Sequence, residues 1–376
     1  MTVPPQRPPD PPRRSISYAD AGVDIDAGDA TARRFGAIGR GTHGPEVLRL
    51  GGGFAGLFAL GEKGYRDPVL VGATDGVGTK VLIAATLGQF DGVGRDVVNN
   101  NVNDLITVGA EPLFFLDYLA TADLPQEQRV EIVQGIGAAC AEQGIALLGG
   151  ETADMPDVYR SGDYDLAGFI VGVVERDQII DGSSLAVGDA LIALPSSGLQ
   201  TNGYSLVREI WGLGKGRRSE SNRARVAREG VERLVLESRP EELGGRTLGE
   251  ALLAVHESFY PALKPLLRAL EGPRLHALAH ITGGGIPGNL GRPFPEGLAA
   301  RIDTSTWQVP WLFRLIQAEG NVTDVEMFRT FNMGVGMIVA VAACDLEATL
   351  AALPGSWRIG EVVARGDGDV VQGVPN

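Results

Sequence analysis

A β-prone run that ends in a polar, glycine-bearing loop and continues as a helix-like stretch occurs three times in this chain. No other feature narrows the possible folds as much. In the first copy Val69-Leu70-Val71-Gly72 leads to Thr74-Asp75, then to glycines, then to Lys80-Val81-Leu82-Ile83-Ala84-Ala85. In the second, Ala190 to Leu194 leads to Ser196-Ser197-Gly198-Leu199-Gln200-Thr201-Asn202-Gly203 and then to Tyr204 through Trp211. The third and weakest runs from Leu278 to Ile281 into Thr282-Gly283-Gly284-Gly285. Roughly balanced helix and strand in each half predicts α/β (α+β) sandwiches rather than helical bundles or all-β folds. Loops at such strand ends are natural ligand sites.

Further elements fill in the halves. Pro125 to Gln143 predicts a helix, with Pro near its start, Gly144 just past its end, and Val130, Val133, Ile136 and Cys140 at helical spacing. Ile145 to Leu148 predicts a strand, and alternation from Tyr164 to Val174 another. A length of 376 residues exceeds what one core usually organises, so two domains are expected. The turn-forming Asp181-Gly182-Ser183 places their boundary near Arg176 to Ser184. The expected division is a disordered tail at 1–16, an N-terminal domain at 17–178 and a C-terminal domain at 179–376. The start, Met1 to Arg14, is proline-rich and basic but lacks the apolar segment of a signal peptide. Gly212 to Gly245 is charged and weakly periodic, as a surface excursion would be.

Composition removes several function classes. A net charge of −14 opposes the counterion release on which nucleic-acid binding depends. No window approaches the apolar length of a membrane span, so a cytoplasmic protein is expected. Cys140 and Cys344 are far apart with no second ligand at metal spacing, so neither a disulfide scaffold nor a zinc site is indicated.

Chemistry concentrates in four places. An Asp delivered into glycines, with Lys80 five residues on, brings a carboxylate for Mg²⁺, backbone donors for phosphate and a cation together at Asp75 to Lys80. A glycine turn capped by Asp75 fits the same residues. In Val97-Val98-Asn99-Asn100-Asn101-Val102-Asn103-Asp104 an apolar stripe leaves Asn100 and Asp104 one turn apart on another face. Asparagine is a poor helix former, so something must compensate: ligand coordination, or side-chain hydrogen bonding at a subunit interface. Gly149-Gly150-Glu151-Thr152-Ala153-Asp154 again runs from a strand into carboxylates, with a helix cap by Thr152 or Asp154 as the alternative. Thr282 to Gly285 after His280 suits an anion, although a His at a strand end is more often structural. Gly51 to Gly56 matches the dinucleotide fingerprint formally, but Gly61 and Gly64 break the helix that should follow.

In order and wording these stretches resemble the phosphoribosylformylglycinamidine cyclo-ligase (aminoimidazole ribonucleotide synthetase) family from about Ser17 to Val363. The likeness extends through Gly109-Ala110-Glu111-Pro112-Leu113-Phe114-Phe115-Leu116-Asp117-Tyr118, Asn202-Gly203-Tyr204-Ser205-Leu206-Val207 and Phe328-Arg329-Thr330-Phe331-Asn332-Met333-Gly334. The resemblance implies two α/β domains, a homodimer formed through the N-terminal sheets, and ATP with Mg²⁺ in the cleft. It implies activation of the formyl amide oxygen of formylglycinamidine ribonucleotide, followed by ring closure with loss of phosphate. Matching positions assign Asp75, Asp104 and Glu151 to Mg²⁺. They assign Gly76, Gly78, Thr79 and Lys80 to the phosphates, with Asn103, Gly149, Gly150 and Thr152 also on the nucleotide. Asn202, Thr282, Gly283, Gly284 and Gly285 would face the substrate, and Asp75, Lys80, Asp104 and His280 would be catalytic. Three departures stand out: Ala19 where the family commonly has Lys, Gln200 where it has His, and Val255-His256-Glu257-Ser258 where it has a Pro-Thr-Arg-like stretch. Each removes a cation or proton donor, with Lys80, His256 and His280 left to cover those roles. The competing identities are a fold-retaining paralogue without turnover and a sibling ATP-using enzyme. The selenophosphate-synthetase sibling would want a Cys ahead of Cys140, and there is none.

Overall fold

The computed structural model describes residues 25–48, 55–156, 158–214, 222–269 and 273–375. The expected tail at 1–16, the Ser17–Asp24 stretch with Ala19, and Gly51 to Phe54 lie outside these residues. The first half runs α1 (Ile25–Arg40), β1 (Val47–Leu48), β2 (Leu57–Phe58), β3 (Pro68–Gly76), α2 (Lys80–Leu87), α3 (Asp91–Ile106), β4 (Glu111–Thr121), α4 (Gln126–Gln143), β5 (Ala146–Asp154) and β6 (Tyr164–Glu175). The second half begins β7 (Ala190–Pro195), α5 (Tyr204–Trp211), α6 (Asn222–Leu236), α7 (Leu248–Leu252), α8 (Tyr260–Arg268), β8 (Leu275–His280) and α9 (Gly285–Asn289). It ends β9 (Leu298–Ile302), α10 (Trp311–Gly320), α11 (Asp324–Thr330), β10 (Val335–Val341), α12 (Leu346–Ala352), β11 (Trp357–Ala364) and β12 (Val371–Gln372).

Local chemistry explains the clearest elements. Pro125 caps α4 at its N-terminus, and Gly144 closes it at φ 70°, its N–H turned back onto Cys140 and Ala141 carbonyls. The stripe of Val130, Val133, Ile136 and Cys140 is buried, as its spacing predicts. In α3 the Val97, Val98, Val102, Leu105 and Ile106 stripe is buried likewise. β10 is buried on both faces: Met337, Val339 and Val341 join the core that also holds α3, while Ile338 and Ala340 face a second core. Each aliphatic side chain so buried contributes about 1.5–3 kcal/mol.

Two mixed sheets result. The first has the order β3-β6-β4-β5, with only β4 and β5 parallel; the second has the order β12-β9-β11-β7-β10-β8, with only β12 and β9 parallel. They divide between Glu175 and Ala190. One core spans the division, joining Val97, Val102 and Ile106 of the first half to Ile192, Leu263, Leu278 and Met337 of the second. One expectation changes: Gly149 to Asp154 is not a loop but the second half of β5, so neither Thr152 nor Asp154 caps a helix there. The Gly212 to Gly245 stretch, expected as a surface excursion, carries the 15-residue helix α6, with Val226, Val231 and Leu234 exposed.

Candidate active site

The loop after β3 and one face of α3 form the base of the site. Asp75 is exposed at the strand end, its Oδ1 accepting from Gly76 N at 2.7 Å and its Oδ2 from Asn100 Nδ2 at 2.8 Å. Asn101 Nδ2 donates to the Asp75 carbonyl at 3.1 Å. One turn further along α3, Asp104 keeps 37% of its side chain exposed, and its Oδ1 accepts from His280 Nδ1 at 2.8 Å. His280 ends β8, so this contact ties the first sheet's helix to the second sheet. It also brings Thr282 to Gly285 beside α3.

The loops of the second half close over this base. Gly78, at φ 67°, lies against the Thr201 carbonyl, and Thr79 Oγ1 is 3.4 Å from Ser205 Oγ. A Cβ on Gly283 would fall 3.0 Å from Asn202 Oδ1, which places these two expected substrate residues side by side. Asn289 Nδ2 braces the glycine loop from below, donating to the carbonyls of Thr282, Gly283 and Gly285. Gly285 must be glycine: its φ is 60°, and a Cβ would sit 1.8 Å from the Phe328 carbonyl.

Lys80 is the first correction. Its side chain points inward, fully buried, with Nζ 2.7 Å from Asp96 Oδ2 and donating to the Ala254 carbonyl at 2.7 Å. Burial pushes its pKa down while Asp96 pulls it back up. The ammonium is placed in the interior and not on the phosphate loop, because the first turn of α2 carries it beneath the glycines.

Glu151 is the second. Across the sheet Asp75 pairs with Gly168, Gly168 with Asp117, and Asp117 with Gly150. Three strand spacings separate Asp75 from Gly150, roughly 14 Å. Asp75, Asp104 and Glu151 therefore form no single ligand set, and among the described residues no group of three or more His, Cys, Asp or Glu could hold a metal. Gly149, Gly150, Glu151 and Thr152 instead line a groove of about 710 Å³ between β5, α1 and α4. Asp117 reaches its floor, where burial raises its pKa to about 7, and Gly150 must lack a Cβ because the Asp117 carboxylate occupies that space.

Hydrogen bonds within the chain compensate the asparagine run. Asn100 and Asn101 hold Asp75, whereas Asn99 and Asn103 grip the segment after Ala254. Asn99 Nδ2 donates to the His256 carbonyl and Asn103 Nδ2 to the Glu257 carbonyl, both at 2.7 Å, while Asn103 Oδ1 accepts from Phe259 N at 2.9 Å. Gln143 extends the grip, donating to Asn99 Oδ1 and accepting from Ser258 Oγ. These bonds join the two halves of one chain. Sequence reasoning missed Asp96, Asn99, Gln143 and the pairing of His256 with His280, whose Nε2 atoms are 3.1 Å apart. Burial, chiefly, holds His256 well below imidazole's usual range, and the neighbouring His280 and Lys80 act in the same direction. Gln200 is fully buried at φ 61°, its amide without a hydrogen-bond partner.

Residues 61–174 match the family described as AIR synthase related protein, N-terminal domain, and residues 186–373 match its C-terminal domain. A phosphoribosylformylglycinamidine cyclo-ligase from Methylobacillus flagellatus is 45% identical over 361 residues, 95% of this chain and 97% of its own length. One from Sorangium cellulosum is 47% identical over 357 residues, 94% and 97% of the two chains. Among solved structures, thiamine-monophosphate kinase from Stenotrophomonas maltophilia superposes with a TM-score of 0.57 at 19% identity, over 92% of this chain and 97% of its own. The hydrogenase maturation protein HypE in complex with ATP does so with a TM-score of 0.57 at 16% identity, over 92% and 87%. At these identities the two structures bear on the fold alone. No described helix is long and apolar enough to cross a membrane.

Proposed function

The chain belongs to the phosphoribosylformylglycinamidine cyclo-ligase family, and from that premise we propose how its residues carry out the family's reaction. The reaction is the ATP-dependent ring closure of formylglycinamidine ribonucleotide to aminoimidazole ribonucleotide, in purine biosynthesis. ATP supplies the phosphoryl group that turns a poor leaving group, the formyl amide oxygen, into a good one, and that oxygen departs as phosphate.

The observation that carries the assignment is the meeting of Asp75, Asp104, His280, Asn202 and the Thr282–Gly285 loop where the two sheets join. Magnesium takes one or two carboxylates and completes its shell with phosphate and water oxygens. Asp75, at the end of β3 and held by Asn100, and Asp104, one turn beyond Asn100 on α3, fit that requirement. In this reading Asn100 and the Gly76 N–H fix the Asp75 carboxylate, and His280 fixes that of Asp104. Gly76, Gly78 and Thr79 present backbone to the phosphates, with Asn103 holding the neighbouring segment in place. Asn202 and Thr282 to Gly285 orient the ribonucleotide. Gly149, Gly150, Glu151 and Thr152 serve the nucleotide from the groove beside β5. Lys80 supports the loop from beneath without touching phosphate. Catalysis is then mostly positioning and charge neutralisation, which needs no strong general base.

The open face of the first sheet supports a homodimer. Leu70 is 62% exposed and Phe169 46%, with Leu116, Tyr118 and Val171 on the same face. The cytoplasm, where purine intermediates are made, is the compartment this reading implies.

The test is incubation with ATP, Mg²⁺ and formylglycinamidine ribonucleotide, following aminoimidazole product and ADP. Asp75→Asn and Asp104→Asn are each expected to lower turnover on the order of 10²–10³-fold. Wild-type protein that releases no substrate-dependent ADP would overturn the reading.

A further inference from the structure

We propose that His256, a fully buried residue, is the positioning residue that sets how His280 holds Asp104; the inference rests on the assignment of Asp104 to the reacting site. Asn103 reaches from α3 to His256. Its Oδ1 accepts from Phe259 N, so the amide orientation is fixed and Nδ2 is the atom facing His256 Nε2, at 3.1 Å. On the other side of the ring, His256 Nδ1 lies 3.3 Å from Thr201 Oγ1.

His280 Nε2 is also 3.1 Å from His256 Nε2. Two lone pairs cannot face each other at that distance, so one of the two Nε2 atoms carries the hydrogen that joins the rings. His280 Nδ1 lies 2.8 Å from Asp104 Oδ1. His280 is thereby held at both ring nitrogens, by His256 on one side and by Asp104 on the other. His256 itself has no freedom to yield: its N–H donates to Asp96 Oδ1 at 2.7 Å and its carbonyl accepts from Asn99 at 2.7 Å.

Thr201, His256, His280 and Asp104 form one chain of hydrogen bonds from the loop after β7 to the surface of α3. It commits one Asp104 oxygen to His280 and fixes the plane of the other. Partners one shell out from a metal-binding or reacting carboxylate work in this way. Without a hydrogen-bonding partner at residue 256, His280 is held only by Asp104 and can turn away from it.

The test compares His256→Leu, which has no polar atom to offer, with His256→Gln, whose amide can hydrogen-bond His280 Nε2 as donor or as acceptor. Thr201→Val is a near-isosteric third variant. His256→Leu is expected to lower kcat on the order of 10- to 100-fold and to raise the Mg²⁺ concentration for half-maximal rate, with KM for the ribonucleotide little changed. His256→Gln is expected to stay within about threefold of wild type. Thr201→Val should melt near the wild-type temperature yet show a smaller shift of the same kind, which keeps the kinetic test valid if His256→Leu fails to fold. Calorimetry of Mg²⁺-dependent ADP binding reads the effect without turnover.

A structural readout is independent of activity. With ring-¹⁵N histidine, of which the chain has four, wild-type protein should show scalar coupling between the Nε2 atoms of His256 and His280 across their hydrogen bond. Folded His256→Leu with wild-type kcat and Mg²⁺ requirement, or absence of that coupling, would overturn the proposal. Wild-type protein without turnover would instead defeat the functional reading, leaving ADP binding and the coupling to decide this one.

Discussion

A fully buried lysine is tolerated at residue 80 because Asp96 and the Ala254 carbonyl replace the water its ammonium has lost. Removing one member of such a pair strands the other charge, at a cost of about 3–5 kcal/mol. Lys80→Met is expected to lose stability on that scale in urea unfolding, and Lys80→Met with Asp96→Asn to recover a substantial part of it. The second change removes the orphaned charge but keeps an acceptor for His256 N–H. A double variant no more stable than Lys80→Met would count against the pair as the source. Asp117 makes the opposite prediction about pH. Its pKa rises from 3.8 to about 7 on folding, so the native state holds a proton that the unfolded chain has released. Stability from this group is therefore present below pH 4 and lost as pH rises through 7, by roughly 4 kcal/mol at most. Asp117→Asn should gain on wild type between pH 5.5 and pH 8, measured by urea unfolding at each pH; a constant difference would refute the shift.

Among the elements, α3 is the one whose composition argues against it. Its asparagines each cost several tenths of a kcal/mol in helix propensity, and each recovers about 1 kcal/mol by bonding to the Asp75 strand end or the 254–259 segment. Propensity reasoning could see that compensation was needed but not where it lay, because both partners are distant in sequence. The turn between β8 and α9 depends on a glycine backbone braced by Asn289. Gly285→Ala would press a methyl group into the Phe328 carbonyl at a left-handed φ, and we expect a loss of at least about 2 kcal/mol. A thermal melt and the KM for the ribonucleotide would both register it; unchanged values in both would show that the loop can relax. Helix α4, by contrast, was readable in full, since Pro125, Gly144 and a 3.6-residue stripe are local signals.

For the molecule as a whole, the two domains share an apolar core through α3. What stays open is the outer face of the first sheet. Light scattering is expected to find a dimer for wild-type protein and a monomer for Leu70→Glu combined with Phe169→Glu. A monomeric wild type would sink the dimer proposal.

The identities of β3, α2, α3, α4, β6, β7, α5 and β8, and the loops that carry Asp75, Asn202 and Gly285, were determined by the sequence itself. Periodicity, glycine and proline act over a few residues and need no tertiary partner. The long matching stretches, from the Asp75 loop to the Phe328 segment, likewise made the family legible. Which of those residues meet was decided only by tertiary structure. β6 comes last in its half of the chain yet inserts between β3 and β4, which sends Asp75 and Glu151 to opposite edges of one sheet. The first turn of α2 takes Lys80 inward, and the path of residues 254–259 across α3 sets His256 against His280. Strand order and chain crossing are paid for by contacts between residues up to 176 positions apart, as Asp104 and His280 are, and no local pattern encodes them.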